Sequence, residues 1–310
     1  MSKIIFMGTP DFSAPILKAL DEAHGVSLVI TQPDKPVGRK RVLTPPPVKM
    51  MAESLGIEVY QPESMKSDEA FERVHALSPD LIVTAAFGQI LPERVLDIPR
   101  LGCINVHASL LPKYRGGAPI HKAIINGEKY SGVTIMYMVK RLDAGDMIDS
   151  VQVPIEINDT VGTLHDKLSV AGTDLLLEVM PSVLSGTNNR TPQNDSEATF
   201  ASNVSREEEY VTFDRTALEV HNHIRGLSPW PVAFANFDGK AMKLWASEIA
   251  EGSGAPGEII QADKAGLVIA TNDGAVRITS LQPAGKKRMD AASFVAGAKS
   301  QLVGMKFNEA

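Results

Sequence analysis

The chain has 310 residues, 44% of them hydrophobic, and carries 31 Lys and Arg against 37 Asp and Glu for a formal net charge of -6. That length and apolar content can bury a substantial core and suffice for two domains. The acidic balance excludes a basic nucleic-acid coat or a membrane-surface protein, so any contact with a polyanion needs a local patch.

The opening MSKIIFMGTPDF runs directly into a strand, without the apolar span and cleavage site of a leader, and no run of 18 apolar residues follows; a cytoplasmic location is expected. Lys3 to Met7 reads as a strand, Gly8-Thr9-Pro10 as a turn, Asp11 to His24 as a helix and Val26 to Thr31 as the next strand. This is the opening of a doubly wound, mainly parallel α/β sheet. A dinucleotide is not expected, because the turn carries Gly8 where a pyrophosphate needs three spaced glycines.

The segment Gln32 to Val48, QPDKPVGRKRVLTPPPV, holds five prolines and a glycine and is expected to be irregular. Lys35, Arg39, Lys40 and Arg41 against Asp34 make it locally basic, which suits either a solvated excursion or a flap that grips phosphates. Helix and strand patterns then alternate: Lys49 to Leu55 helical, Ile57 to Tyr60 extended, Asp68 to Leu77 helical, Asp80 to Thr84 extended. The residues after that last strand, Ala85 to Leu91, leave its carboxyl end, where ligands bind in open α/β sheets.

The strand from Leu101 brings Asn105 and His107 to the same side of the sheet at the same rim, because side chains alternate with period two. Cys103, the single cysteine, excludes an intramolecular disulfide and a cysteine metal cluster, and lies on the apolar approach to Asn105 as a buried, inert thiol. A Pro- and Gly-punctuated loop follows, then a helix over Ala118 to Asn126 with Gly127 as its stop signal. Gly132 to Val139 reads as a strand running into the turn KRLDAGDM, which places Asp143 beside Gly145 at another strand end. Asp146 to Pro154 reads as the outgoing strand and Thr160 to Leu184 as a long amphipathic helix.

These patterns give a first domain over residues 1–189, a polar linker over 190–205 and a second domain over 206–310. In the second, a helix from Thr216 to Arg225 precedes strand pairs at hairpin spacing around Asp238-Gly239 and Asp273-Gly274, which suggests a small β-barrel. It holds 12 basic and 13 acidic residues, leaving 19 and 24 for residues 1–205, and Lys286, Lys287 and Arg288 give it one basic edge. His221 and His223 have no evident third ligand, look like polar-face helix residues, and imply no metal site.

The combination Asn105-Val-His107, Ser109-Leu-Leu-Pro112, Tyr114-Arg-Gly116 and, 36 residues after His107, Leu142-Asp143-x-Gly145 resembles the 10-formyltetrahydrofolate-dependent formyltransferases. GTPDF at 8–12, QPDKPVGR at 32–39, SPWP at 228–231 and LQPAGKK at 281–287 are similar to the branch of that family that formylates initiator methionyl-tRNA. One departure is Lys40, where that branch has glycine. The resemblance implies a Rossmann-like formyltransferase sheet with an OB-like C-terminal barrel, and 10-formyltetrahydrofolate as co-substrate without metal or dinucleotide. It implies Asn105, His107 and Asp143 as catalytic residues, with Ser109, Leu110, Leu111 and Pro112 at the folate site. Phe87, Gly88 and Ile90 are a second candidate wall. Arg39, Lys40 and Arg41, with Lys286, Lys287 and Arg288 on the barrel, are candidates for tRNA contact, and the expected form is a monomer away from membranes.

The residue chemistry is consistent with that implication. Formyl transfer to an amine passes through a tetrahedral oxyanion that needs hydrogen-bond donors, which Asn105 and His107 offer, and a proton relay, which Asp143 offers. Hydrolysis of formyltetrahydrofolate, transfer to a small amine, or a non-catalytic RNA-binding module are the alternatives; the basic flap and appended barrel speak for a large anionic acceptor.

Overall fold

Near-continuous apolar runs such as IIFMG and LIVTA suit strands covered on both faces. In the computed structural model of the chain, which describes residues 2–38, 40–298 and 301–308, both are fully buried central strands of one sheet. The elements in order are β1 (Ile4–Gly8), α1 (Ala14–His24), β2 (Leu28–Ile30), the hairpin strands β3 (Lys35–Val37) and β4 (Val42–Thr44), α2 (Pro47–Ser54), β5 (Val59–Tyr60), α3 (Asp68–Leu77), β6 (Leu81–Ala85) and α4 (Glu93–Leu96). Then follow β7 (Cys103–His107), α5 (Pro119–Ile125), β8 (Tyr130–Tyr137), β9 (Met147–Pro154) and α6 (Val161–Ser185).

Seven of these strands form a sheet of order β5-β2-β1-β6-β7-β8-β9. β5, β2, β1, β6 and β7 run parallel, and β8 turns antiparallel to β7 with His107 opposite Thr134. This is the doubly wound, mainly parallel sheet that the alternating pattern predicts. Among the described residues α6 is the one helix long and apolar enough to cross a membrane, yet Leu168, Leu175, Leu176, Val179 and Met180 are buried in the core. Gly172 lets it lie close on the sheet, since a Cβ there would stand 3.0 Å from Val106 Cγ1.

The proline-rich stretch after Gln32 is not irregular throughout. Its central part folds as the β3–β4 hairpin, with Val37 opposite Val42 and Gly38 in the left-handed region at the turn. Prolines 33, 45, 46 and 47 fall outside the paired strands, and Pro36 sits on a two-stranded ribbon with no sheet to interrupt, which is why the pairing survives. At the hairpin base, hydrogen bonds from Gln61 (2.7 Å) and Lys49 (2.9 Å) hold the Asp34 carboxyl below the usual carboxylate range.

The chain packs as two units. One comprises Met1–Gly116, Ser131–Pro154 and His165–Ala201; the other comprises Gly117–Tyr130, Ile155–Leu164 and Ser202–Ala310. The second unit holds α7 (Ala217–Gly226), β10 (Phe234–Phe237), β11 (Lys240–Ala250), β12 (Ile259–Asp263), β13 (Gly266–Ala270), β14 (Ala275–Pro283), β15 (Met289–Asp290) and α8 (Ala291–Ala296). Its antiparallel sheet runs β10-β11-β14-β13-β12, with β15 on β14.

Residues 304–308 bond to both edge strands and close this sheet on itself. Gly304 N donates to Ile259 O (2.9 Å), Ile259 N to Met305 O (2.8 Å) and Asn308 N to Asn236 O (2.7 Å). Phe307, 3% exposed, fills the interior 4.8 Å from the Phe237 ring and 5.5 Å from the Phe213 ring.

The sequence pattern locates α7 and the two Asp-Gly hairpins and passes over β12, β15 and α8. α7 starts on a reciprocal capping box between Thr216 and Glu219. α5 packs against it within the second unit, so closely that a Cβ on Gly226 would stand 2.7 Å from Ile125 Cγ1.

His221 and His223 are not on a polar helix face; they are 5% and 7% exposed, and their polarity is absorbed by partners that the helix period does not reveal. His221 bonds Ser247 Oγ and Ile157 O. His223 Nδ1 accepts from the Arg215 guanidinium (2.7 Å) while its Nε2–H donates to Glu208 O (2.7 Å), a neutral tautomer with both nitrogens engaged. Burial lowers the His223 pKa to about 4. Because the unfolded imidazole takes its proton near 6.5 and the folded one near 4, this contribution is complete above the unfolded value and is lost as pH falls toward 4. The total is up to about 3 kcal/mol. Both tryptophans, Trp230 and Trp245, lie in the second unit. Urea unfolding followed by their fluorescence should show the midpoint falling between pH 7 and pH 5, with a smaller fall in His223→Gln.

Arg225, 6% exposed, is held in the same unit by Asn222 Oδ1 (2.8 Å) and by the carbonyls of Glu156 (2.9 Å) and Asp159 (2.8 Å).

Candidate active site

β6 and β7 run parallel with Thr84 opposite Asn105, so the residues after both strands emerge side by side at one rim. Thr84 Oγ1 donates to Asn105 Oδ1 at 2.7 Å. With its carbonyl end turned to Thr84, the amide leaves its NH2 available to another acceptor. Thr84 is a contributor the linear pattern does not reveal, because its relation to Asn105 exists only in the strand register.

Two residues on, His107 is 6% exposed. Its Nε2 lies 3.1 Å from the Tyr114 carbonyl, which can only accept, so Nε2 carries the hydrogen. Tyr114 has φ +60, the left-handed conformation that turns its carbonyl inward at this point of the loop. The free ring nitrogen is therefore Nδ1, and the carboxylate of Asp143 faces it, Oδ2 at 3.8 Å. That carboxylate oxygen also accepts the Gly116 N–H at 2.8 Å. Asp143 itself has φ +46, and the turn behind it is tight: a Cβ on Gly145 would come within 1.9 Å of Tyr137 O. The structure thus brings Asn105, His107 and Asp143 to one rim although 36 residues separate the last two.

The loop after His107 is bonded within itself and to Thr134 of β8. Ser109 Oγ donates to Lys113 O (2.7 Å), Thr134 Oγ1 donates to Ser109 O (2.7 Å), and Leu111 N donates to Thr134 Oγ1 (3.1 Å). Leu111 is buried, and Leu110 lies over β8 where a Cβ on Gly132 would meet Leu110 Cδ2 at 2.5 Å. Pro112 is half-buried and follows a cis peptide bond. On the neighbouring loop the Phe87 ring is packed in the core with Ile5, Met7 and Ile82, and its carbonyl accepts from Thr9 Oγ1 (2.8 Å) and Gln32 Nε2 (3.1 Å). Gly88 has φ +82, and a Cβ there would stand 2.3 Å from Gln32 Nε2. Ile90 is 72% exposed. The expected wall is therefore not the Phe87 ring, which is committed to the core, nor its carbonyl, which Thr9 and Gln32 occupy; this loop offers a ligand the Phe87 N–H, the Gly88 backbone and the Ile90 side chain.

Of the basic candidates, Arg39 lies outside the described residues. Lys40 and Arg41 are exposed at the hairpin turn, whose left-handed positions among the described residues are Gly38 and Arg41, so Lys40 replaces glycine where no positive φ is needed. Lys286, Lys287 and Arg288 are all exposed, and the Arg288 guanidinium also lies over the Trp245 ring (4.7 Å) and donates to Ser280 Oγ (3.0 Å). Among the described residues no group of three or more His, Cys, Asp or Glu side chains is arranged to hold a metal ion. Burial pushes the Cys103 thiol up to about 12, which keeps it protonated and unreactive.

Residues 2–180 match the formyl transferase family and residues 203–299 the formyl transferase C-terminal domain. The chain is 99% identical over 310 residues to the methionyl-tRNA formyltransferase of Macrococcus caseolyticus (strain JCSC5402), covering all of both chains. It is 56% identical over 309 residues to that of Staphylococcus aureus (strain JH1), covering 99% of each. Among solved structures, an N-formyltransferase from Helicobacter canadensis in complex with folinic acid and dTDP-3-aminofucose shares the fold at TM-score 0.70 and 21% identity, over 91% of this chain and 100% of that one. HypX from Aquifex aeolicus in complex with tetrahydrofolic acid superposes at TM-score 0.65 and 19% identity over 95% of this chain, which spans 47% of that longer protein. With both halves matched in order and the site residues grouped at the sheet rim, this chain belongs to the formyl transferase family.

Proposed function

We propose that this protein transfers the formyl group of 10-formyltetrahydrofolate to the α-amino group of initiator methionyl-tRNA, giving N-formylmethionyl-tRNA. Full-length similarity to enzymes of that name supports the acceptor, and the convergence of Asn105, His107 and Asp143 at one rim carries the chemistry.

In this reading the amine nitrogen attacks the formyl carbon, and the former carbonyl oxygen becomes an anion that accepts the Asn105 NH2. The neutral His107 spends its one N–H on Tyr114, so the imidazole donates to the oxyanion only as an imidazolium, through Nδ1. Asp143, whose Oδ2 stands 3.8 Å from Nδ1, takes the proton that the amine releases, directly or through water. Collapse of the tetrahedral species breaks the bond to folate nitrogen 10, which takes up a proton by the same route. The Ser109–Pro112 loop and the backbone of Phe87 and Gly88 form the walls of the folate site, with Ile90 at its mouth.

Lys40 and Arg41 on the hairpin, with Arg39 between them and Gly38 in sequence, take the phosphates of the tRNA, as do Lys286 and Lys287. Arg288, exposed beside them with its guanidinium over the Trp245 ring, joins that second edge. The protein acts as a cytoplasmic monomer.

The test is transfer from labelled 10-formyltetrahydrofolate to methionyl-tRNA beside free methionine and other aminoacyl-tRNAs. Product should form only with methionyl-tRNA; release of free formate with no formylated acceptor would instead identify a hydrolase.

A further inference from the structure

We propose that Gln193 is a positioning residue that holds Asp143 against His107. It lies in the polar segment expected as a linker, yet residues 190–201 belong to the first unit and are tied into it: Thr191 pairs with Met147, and Arg115 exchanges backbone bonds with Thr199 and Ala201. The Gln193 Nε2 group donates to the carbonyls of both Asp143 and Gly145, each at 2.8 Å. Those two carbonyls bracket the turn whose first residue is held at a positive φ.

The direction of the Gln193 amide is fixed as well. Its Oε1 accepts from Arg115 Nε (3.0 Å) and Nη2 (2.7 Å), and Arg115 is 3% exposed. Guanidinium nitrogens only donate and carbonyls only accept, so the amide cannot be turned round without losing all four bonds. Arg115 and Arg141 in turn share Asp195, each at 2.9 Å. Arg115 is adjacent in sequence to Tyr114, whose carbonyl orients His107, and to Gly116, whose N–H meets Asp143. One side-chain amide thereby couples the loop that sets the imidazole to the turn that sets the carboxylate.

The requirement is for a side chain that accepts at one end and donates twice at the other. Glutamate keeps the acceptor toward Arg115 but places a second acceptor against two carbonyls; methionine keeps the length and loses both functions. Either change frees the turn to carry Asp143 away from Nδ1, and a displacement of about 1 Å in such a group costs up to about 100-fold in rate.

This inference rests on Asp143 being the proton carrier, and the experiment separates the two. Steady-state transfer to methionyl-tRNA is measured for Gln193→Met, Gln193→Glu, Asp143→Ala and Asp143→Ala with Gln193→Met, with thermal melts confirming that each is folded. The expected result is a fall in kcat of about 10- to 100-fold for both Gln193 variants, with KM for each substrate within about twofold. In the Asp143→Ala background, Gln193→Met should change the residual single-turnover rate by less than about twofold. If Gln193→Met fails to fold, Gln193→Glu takes its place both alone and in the Asp143→Ala background, since it keeps the bond to Arg115. A kcat within about twofold of wild type in the folded Gln193 variants, or an undiminished loss in the Asp143→Ala background, would overturn the positioning role. Wild-type kcat in Asp143→Ala alone would instead remove the proton-carrier reading and this inference with it.

Discussion

Asn105→Ala is expected to slow formyl transfer by about 100- to 1,000-fold, the loss typical of removing one oxyanion donor, or about 2.7 to 4 kcal/mol of transition-state stabilisation. The loss should fall on kcat, since the donor's bond strengthens only as the carbonyl oxygen acquires charge. Asn105→Asp separates donation from shape: it keeps the size but presents a carboxylate to Thr84 and to the developing anion alike, and should be at least as damaging. Asn105 is half-buried, and Thr84 Oγ1, which it would abandon, keeps the Ile104 carbonyl at 3.2 Å as an acceptor, so the thermal midpoint should remain close to wild type. Single-turnover rates with enzyme in excess are the measurement; a loss of under about tenfold in Asn105→Ala would exclude the amide as the oxyanion donor.

Phe307→Ala is expected to cost the second unit about 3 to 5 kcal/mol, the range for deleting a buried aromatic ring. The ring is 3% exposed and packs against Phe237 and Phe213, while its own backbone donates to Gly257 O at 2.9 Å. Truncation therefore opens a cavity at the seam where the sheet is closed. The urea midpoint reported by Trp230 and Trp245 should fall markedly at pH 7. A change under about 1 kcal/mol would mean that the seam is not part of the cooperative core.

The first unit was legible in its sequence because its strands are apolar on both faces and its helices are periodic, so β1, β6 and α3 need no tertiary information to be recognised. Asn105 and His107 could be placed on one side of a strand end by period two alone. The features missed share one cause. Thr84 meets Asn105 through strand register, Gln193 meets Asp143 across 50 residues, and His223 meets Arg215 and Glu208 through a fold-specific pocket. A polar residue's partner is not written in its own neighbourhood, so His221 and His223 looked solvated and Gln193 looked like linker. The hairpin after Gln32 was obscured differently, by four prolines that lie outside its paired residues and by Pro36, which is paired on a two-stranded ribbon rather than in a sheet it would break.

The interleaving of the two units bears on any attempt to excise the second. A gene fragment starting at Ser202 would leave behind α5, against which α7 packs, and the Ile155–Leu164 corner whose carbonyls bind the Arg225 guanidinium. Such a fragment would expose one helix face and leave the Arg225 guanidinium without its two carbonyl acceptors, so grafting this module onto another scaffold requires three separate stretches of chain to be carried across together.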